Sequence, residues 1–266
     1  MRGERILGRR AALAAIGGAG AALLLTACGG GSSATSQSAA TLAARGSSTP
    51  NSGASTGGVE GGPEPLLSGP AAKYAPAQAE LEAPYKVAPN ETFGMGLDTY
   101  AASTFFPGAT EGRDLAESWG FAEGYQVTLN PDGLLAGVLK GGYYVVVEVY
   151  LFGDQSGAKS AFDYYESRYG STAGSEEASA KGLANQSGSW QLIKGPVGTS
   201  SLVGVYHRFL LRRGNMLASV QTYGAQPFMT IDKARDIAVI IDERALGTRQ
   251  ATEPTPAGTT VPGLPR

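Results

Sequence analysis

The chain has 266 residues, of which 42% are hydrophobic and 17% charged, with one cysteine, one histidine and a formal charge of −2 at pH 7. A lone cysteine excludes an internal disulfide and a cysteine-based zinc site. The slightly acidic balance argues against nucleic acid as a partner.

The chain starts with Arg2, Arg5, Arg9 and Arg10, offset only by Glu4, and carries no charge from Ala11 to Ala27. A basic start followed by an apolar run reads as an export signal, and this run is too short and too rich in Gly and Ala for a permanent span. It ends in Leu25-Thr26-Ala27-Cys28. That segment resembles the lipobox of bacterial lipoproteins, a Leu or branched residue and two small residues before a Cys. The resemblance covers residues 1–28. It implies a diacylglycerol on the Cys28 thiol, cleavage between Ala27 and Cys28, acylation of the new amino terminus, and a home on the membrane facing away from the cytoplasm. Several acyl chains are needed physically, because one gives only marginal anchoring. Gly8-Arg9-Arg10-Ala11-Ala12-Leu13 also resembles a twin-arginine signal, without the usual Ser or Thr before the pair or the Phe after it; a general basic region is the preferred reading. Loss of residues 1–27 removes four Arg and one Glu, a net +3, and leaves −5.

Residues 28–90 are dominated by stretches such as GGGSSATSQSAA and GSSTPNSGASTGGVEGGPEP. They bury too little apolar surface to offset the entropy of ordering, and read as a disordered tether with an r.m.s. reach of about 45 Å. Leu66-Leu67 and the neighbourhood of Ala79–Leu81 are the places where this tether could dock or form a short helix. The tail, 248–266, is rich in Pro, Thr and Gly and reads the same way as the tether.

Between them, 91–247 has the size of one domain. Strands are expected at Tyr125–Leu129 and Trp190–Ile193, with hairpins at Leu134–Lys140/Tyr143–Phe152 and Val203–Arg213/Met216–Tyr223, around Gly141-Gly142 and Gly214-Asn215. A helix should follow each hairpin. The first is capped by Asp154 or Ser156 and carries Ala158, Ala161, Phe162, Tyr165 and Tyr169 on one stripe. The second starts at Thr230 with Ile231, Ala234, Ala238, Ile241 and Ala245 inward. Residues 172–189 read as a mobile loop. A 73-residue offset superposes the two hairpin–helix segments, which suggests either an internal duplication or shared generic patterning. Both give an α+β fold, an antiparallel sheet with helices packed on one face.

No catalytic constellation stands out. Gly153–Ser160 has the outline of a phosphate-binding loop, but Ala158 intrudes before Lys159, and the segment is read as a helix start. His207 faces the apolar side of its strand opposite Thr222, and no metal-ligand spacing accompanies it. Asp98, Glu111, Asp114, Glu117, Glu123 and Glu148 are candidate acid–base carboxylates that spacing cannot pair; Glu148 alternates with valines and is expected on a wet face. Aromatic and basic side chains offer a candidate binding surface of Trp119, Tyr143, Tyr144, Tyr150, Arg208 and Arg212. The resulting expectation is a lipid-anchored envelope domain, without cofactor or metal, that binds a ligand or protein partner without catalysis. The alternatives are an envelope hydrolase using carboxylates and His207, and a structural or sensory accessory of a membrane complex.

Overall fold

The structure, a computed structural model, describes residues 61–81, 85–103, 105–131 and 134–251. Cys28, the Ala27–Cys28 bond, the tether up to residue 60 and the tail from residue 252 lie outside the described residues. In chain order the elements are β1 (Tyr85–Val87), β2 (Phe93–Met95), α1 (Leu97–Ala101), α2 (Ala109–Ser118), β3 (Phe121–Pro131), α3 (Leu134–Leu139), β4 (Tyr144–Phe152), α4 (Gln155–Gly170), β5 (Ser175–Glu177), β6 (Gln186–Pro196), β7 (Val203–Arg213), β8 (Met216–Ala225) and α5 (Ile231–Ala245).

The strands form one antiparallel sheet in the order β1-β3-β4-β8-β7-β6-β5, with β2 also paired to β3. Side chains alternate between faces, and the long central strands are apolar on both. On one face Val127, Val147, Phe209 and Val220 pack against the inner stripe of α5. On the other, Tyr150, Leu210 and Leu217 meet Phe162, Tyr165 and Tyr169 of α4, with α1, α2 and Trp119 alongside. The α+β class and antiparallel sheet are as the sequence indicates, but the helices divide between both faces instead of sharing one.

Helix α4 starts where its chemistry says it should. The Asp154 carboxylate accepts a hydrogen bond from the Gly157 N–H at 2.8 Å, and Ala158, Ala161, Phe162, Tyr165 and Tyr169 are buried. In α5 the expected inward residues are also buried, although Thr230 makes no side-chain cap. The β7–β8 hairpin has the expected two-residue turn, with Arg213 opposite Met216 and Gly214 at φ +55°, a conformation that favours glycine.

Three expectations are corrected. Leu134–Lys140 is not a strand: it forms α3, and β4 pairs instead with β3, Leu129 opposite Val145. A short apolar run has no period long enough to separate helix from strand. The duplication does not extend beyond the strands. The 73-residue offset does set Val147 opposite Val220, but a twofold axis relating β4 to β8 would place both helices on one face, and they lie on opposite faces. The supposed loop 172–189 contains β5 and the start of β6, whose Gln186–Ser189 pair with Phe209–Arg212.

The ordered body also begins before residue 91. Ala71, Tyr74, Ala75 and Tyr85 belong to the core around α5, and Gln78–Glu80 form a 3-10 turn. Polar ties hold this strap to the hairpin tip. Arg213 is fully buried, grips Asp242 of α5 with bonds of 2.7 and 2.9 Å, and donates to the Gly61 and Pro63 carbonyls at 3.0 and 3.2 Å. Asn215 exchanges hydrogen bonds with Leu67. Among the described residues no helix is long and apolar enough to cross a membrane.

Candidate functional site

The face that carries α4 is covered unevenly. Strand register lays out its rows. Tyr150, Leu217, Arg212 and Gln186 stand in one row; Glu148, Ser219, Leu210 and Gly188 in the next; then Val146, Gln221, Arg208 and Trp190; and last Tyr144, Tyr223, Tyr206 and Leu192. Helix α4 packs over Tyr150 and Leu217 of the first row and Leu210 of the second, and its Tyr169 reaches Trp190 and Arg208 of the third. Beyond the last row, Val138 and Leu139 of α3 form a small cluster with Val197, Leu202 and Ala225, against which Tyr223 packs. Between these walls lies a floor of half-buried side chains: Tyr144, Tyr206, Tyr223, Arg208, Gln221 and Glu148.

The floor is connected throughout. The Tyr206 and Tyr223 rings lie 4.5 Å apart, and Tyr144 and Tyr223 5.5 Å apart, each pair tilted by about 40°. Gln221 donates to the Tyr144 hydroxyl at 3.4 Å and accepts from Arg208. The Arg208 guanidinium lies 4.1 Å from the centroid of the Tyr169 ring, and the Tyr169 hydroxyl lies 3.4 Å from that of Ser219. Lys194, on the bulge of β6, is exposed, with its ammonium 5.7 Å from the Tyr206 centroid.

Electrostatics follow from this packing. Burial raises the Glu148 carboxyl above its ordinary range, against the opposing pull of Arg208 and of hydrogen bonds from Tyr150 and Ser219. Burial likewise pushes the Tyr169 phenol up to about 12, with Arg208 opposing, and raises Tyr144. These phenols are neutral donors and acceptors at neutral pH. Glu148 is therefore not on a wet face, as its alternation with valines suggests, but beside α4 within a tyrosine cluster.

Of the residues singled out from sequence, the structure brings Tyr144 and Arg208 together, linked through Gln221. Trp119 is buried in the α2–α4 cluster, 5.4 Å from Tyr164. Tyr150 is buried against Tyr100 at 5.0 Å. Tyr143 points to the opposite face, 5.5 Å from Tyr85. Arg212 is consumed internally by Glu64 at 2.8 Å, Gln186 at 2.5 Å and the Gly214 carbonyl at 3.1 Å. Sequence reasoning missed Tyr206, Tyr223 and Gln221. The hairpin register alone places Tyr206 opposite Tyr223 and Arg208 opposite Gln221, so that part was readable; Tyr144 joins them only through the β4–β8 pairing.

Among the described residues, the acid–base candidates other than Glu148 lie away from this floor. His207 is buried on the face under α5, where burial lowers its imidazole to about 4, slightly opposed by Asp232. Asp98 and Glu117 meet only at Arg113, Glu123 accepts the Ala71 N–H at 3.1 Å, and Glu111 and Asp114 are exposed on α2. No group of three or more His, Cys, Asp and Glu side chains suited to a metal occurs among the described residues. The phosphate-loop outline has a packing explanation: a Cβ on Gly157 would lie 1.9 Å from the Trp119 carbonyl oxygen, and Asp154 already occupies the Gly157 amide.

No family model matches the chain, and no curated protein does. Among solved structures the fold is similar to the extracellular domain of PknH from Mycobacterium tuberculosis, with a TM-score of 0.34 and 12% identity over 62% of this chain and 84% of that one.

Proposed function

We propose that this is a lipid-anchored protein of the cell envelope whose folded domain faces away from the cytoplasm and binds a ligand or partner without transforming it. The N-terminal segment supports the anchoring: a basic start, an uncharged run and a Cys at the lipobox position. One observation carries the binding role. The half-buried floor of Tyr144, Tyr206, Tyr223, Gln221 and Arg208 combines apolar rings with polar tips, while His207, the single side chain best suited to proton transfer at neutral pH, is buried on the opposite face. The hydrolase reading has less behind it, since among the described residues no second carboxylate is shown beside Glu148 in the floor.

Two variants of the full chain test this. Cys28→Ser moves the protein from the membrane fraction to the soluble fraction. Tyr144→Ala/Tyr206→Ala leaves it in the membrane fraction, but in detergent the variant no longer sediments with envelope material isolated from the producing cells. Unchanged fractionation of Cys28→Ser contradicts the anchor, and unchanged sedimentation of the tyrosine variant contradicts the binding face.

A further inference from the structure

The chemistry of the tyrosine floor selects among ligands, and the ligand class it points to rests on the binding reading of that surface. Tyrosine rings present apolar faces beside hydroxyl tips, and Tyr144, Tyr223 and Tyr206 stand in one row across β4, β8 and β7. Next to them are two planar side chains, the Gln221 amide and the Arg208 guanidinium, bonded to each other. A planar fork engages two adjacent oxygens at once. Arg208 has five N–H donors and keeps some beyond its bond to Gln221. Charge is asymmetric. Arg208 and Lys194 flank the tyrosine row, Lys194 makes no ion pair among the described residues, and Glu148 lies two rows from the tyrosines, beside Ser219 and α4.

We infer that the tyrosine row with Arg208 and Lys194 is a binding site for an acidic glycan, a chain of sugar rings that carry carboxylates. The apolar face of a sugar ring lies on the tyrosines, its adjacent hydroxyls meet Gln221 and Arg208, and its carboxylate meets Lys194 at the open end. An acidic peptide fits less well. Extended peptides are held through the backbone groups of a sheet edge, whereas this site lies on the sheet face, on strands β4, β8 and β7 whose backbones are already paired on both sides.

The test is calorimetric titration of the full chain in detergent with three probes: a hexamer of galacturonic acid, its fully methyl-esterified neutral form, and hexaglutamate. The acidic sugar binds about tenfold more tightly than its ester, a ratio equivalent to about 1.4 kcal/mol, and hexaglutamate binds at least tenfold more weakly than the acidic sugar. Tyr206→Ala weakens both sugars about tenfold. Lys194→Glu, at an exposed position that folding does not depend on, removes the preference for the acid over the ester. Hexaglutamate binding as tightly as the acidic sugar would overturn the assignment in favour of an acidic peptide. It falls equally if neither sugar binds, or if Tyr206→Ala and Lys194→Glu change nothing. If sugars fail while sedimentation with envelope material still requires the tyrosines, the glycan assignment falls and the binding reading stands.

Discussion

His207 and Glu148 sit on opposite faces of one sheet and pull stability in opposite directions with pH. The His207 imidazole is lowered by burial to about 4 from 6.5, so between those values the unfolded chain binds the extra proton and the folded one resists it. Its contribution is complete above about pH 6.5 and is lost as pH falls towards 4, an effect on the order of 3 kcal/mol. His207→Phe should flatten that acid limb, read as the melting temperature against pH between 4 and 7. The Glu148 carboxyl is raised by burial, so the folded state holds its proton more readily than the unfolded one. Its ionisation therefore costs stability as pH rises through the raised value. Glu148→Gln should stabilise the fold at pH 7 and change it little at pH 3, where the carboxyl is protonated in both states. Neither shift was legible from the sequence. Alternation puts His207 on the apolar side, which is correct, but the same alternation sends Glu148 to solvent, because it carries no information about a helix that returns to cover the polar face.

Element by element, α4, α5 and the second hairpin were readable because their patterns are long, whereas the shorter α1, α2 and α3 were not. Asp154 and the stripe from Ala158 to Tyr169 define α4, and Gly214-Asn215 between alternating strands defines β7–β8. Asp154→Ala should cost about 1 kcal/mol by freeing the Gly157 amide, measured by denaturant unfolding. Gly157→Ala should cost more than Asp154→Ala, since the new methyl group meets the Trp119 carbonyl and the helix must move off its neighbour. The strap before β1 was hidden by its own composition: Gly, Pro and Ser read as tether, and what fixes residues 61–67 is the hairpin tip some 150 positions away. Arg212 and Arg213 lie on opposite faces of β7 and both reach this strap. Arg213→Ala leaves Asp242 buried without its partner and should destabilise the domain by about 3–5 kcal/mol. It should also speed hydrogen exchange at Leu67, whose amide is tied to Asn215.

On the scale of the whole molecule, the proposed anchor, tether and domain form one device. Under that proposal a lipid at Cys28 would keep the domain in a layer near the membrane and raise its encounter rate with anything fixed there. The described chain begins at Gly61, which the strap holds beside the tip of β7–β8. The tyrosine row lies towards the other end of those strands, next to Gly204 and Ala225.

Hydroxyl-radical footprinting of the full chain, free and bound to envelope material, tests the binding face most directly. Tyr144, Tyr206 and Tyr223 should gain protection on binding, while Ile193 and Phe228, which are 51% and 49% exposed and lie outside the row, keep their reactivity. Protection of Ile193 or Phe228 with the three tyrosines unchanged would contradict the account.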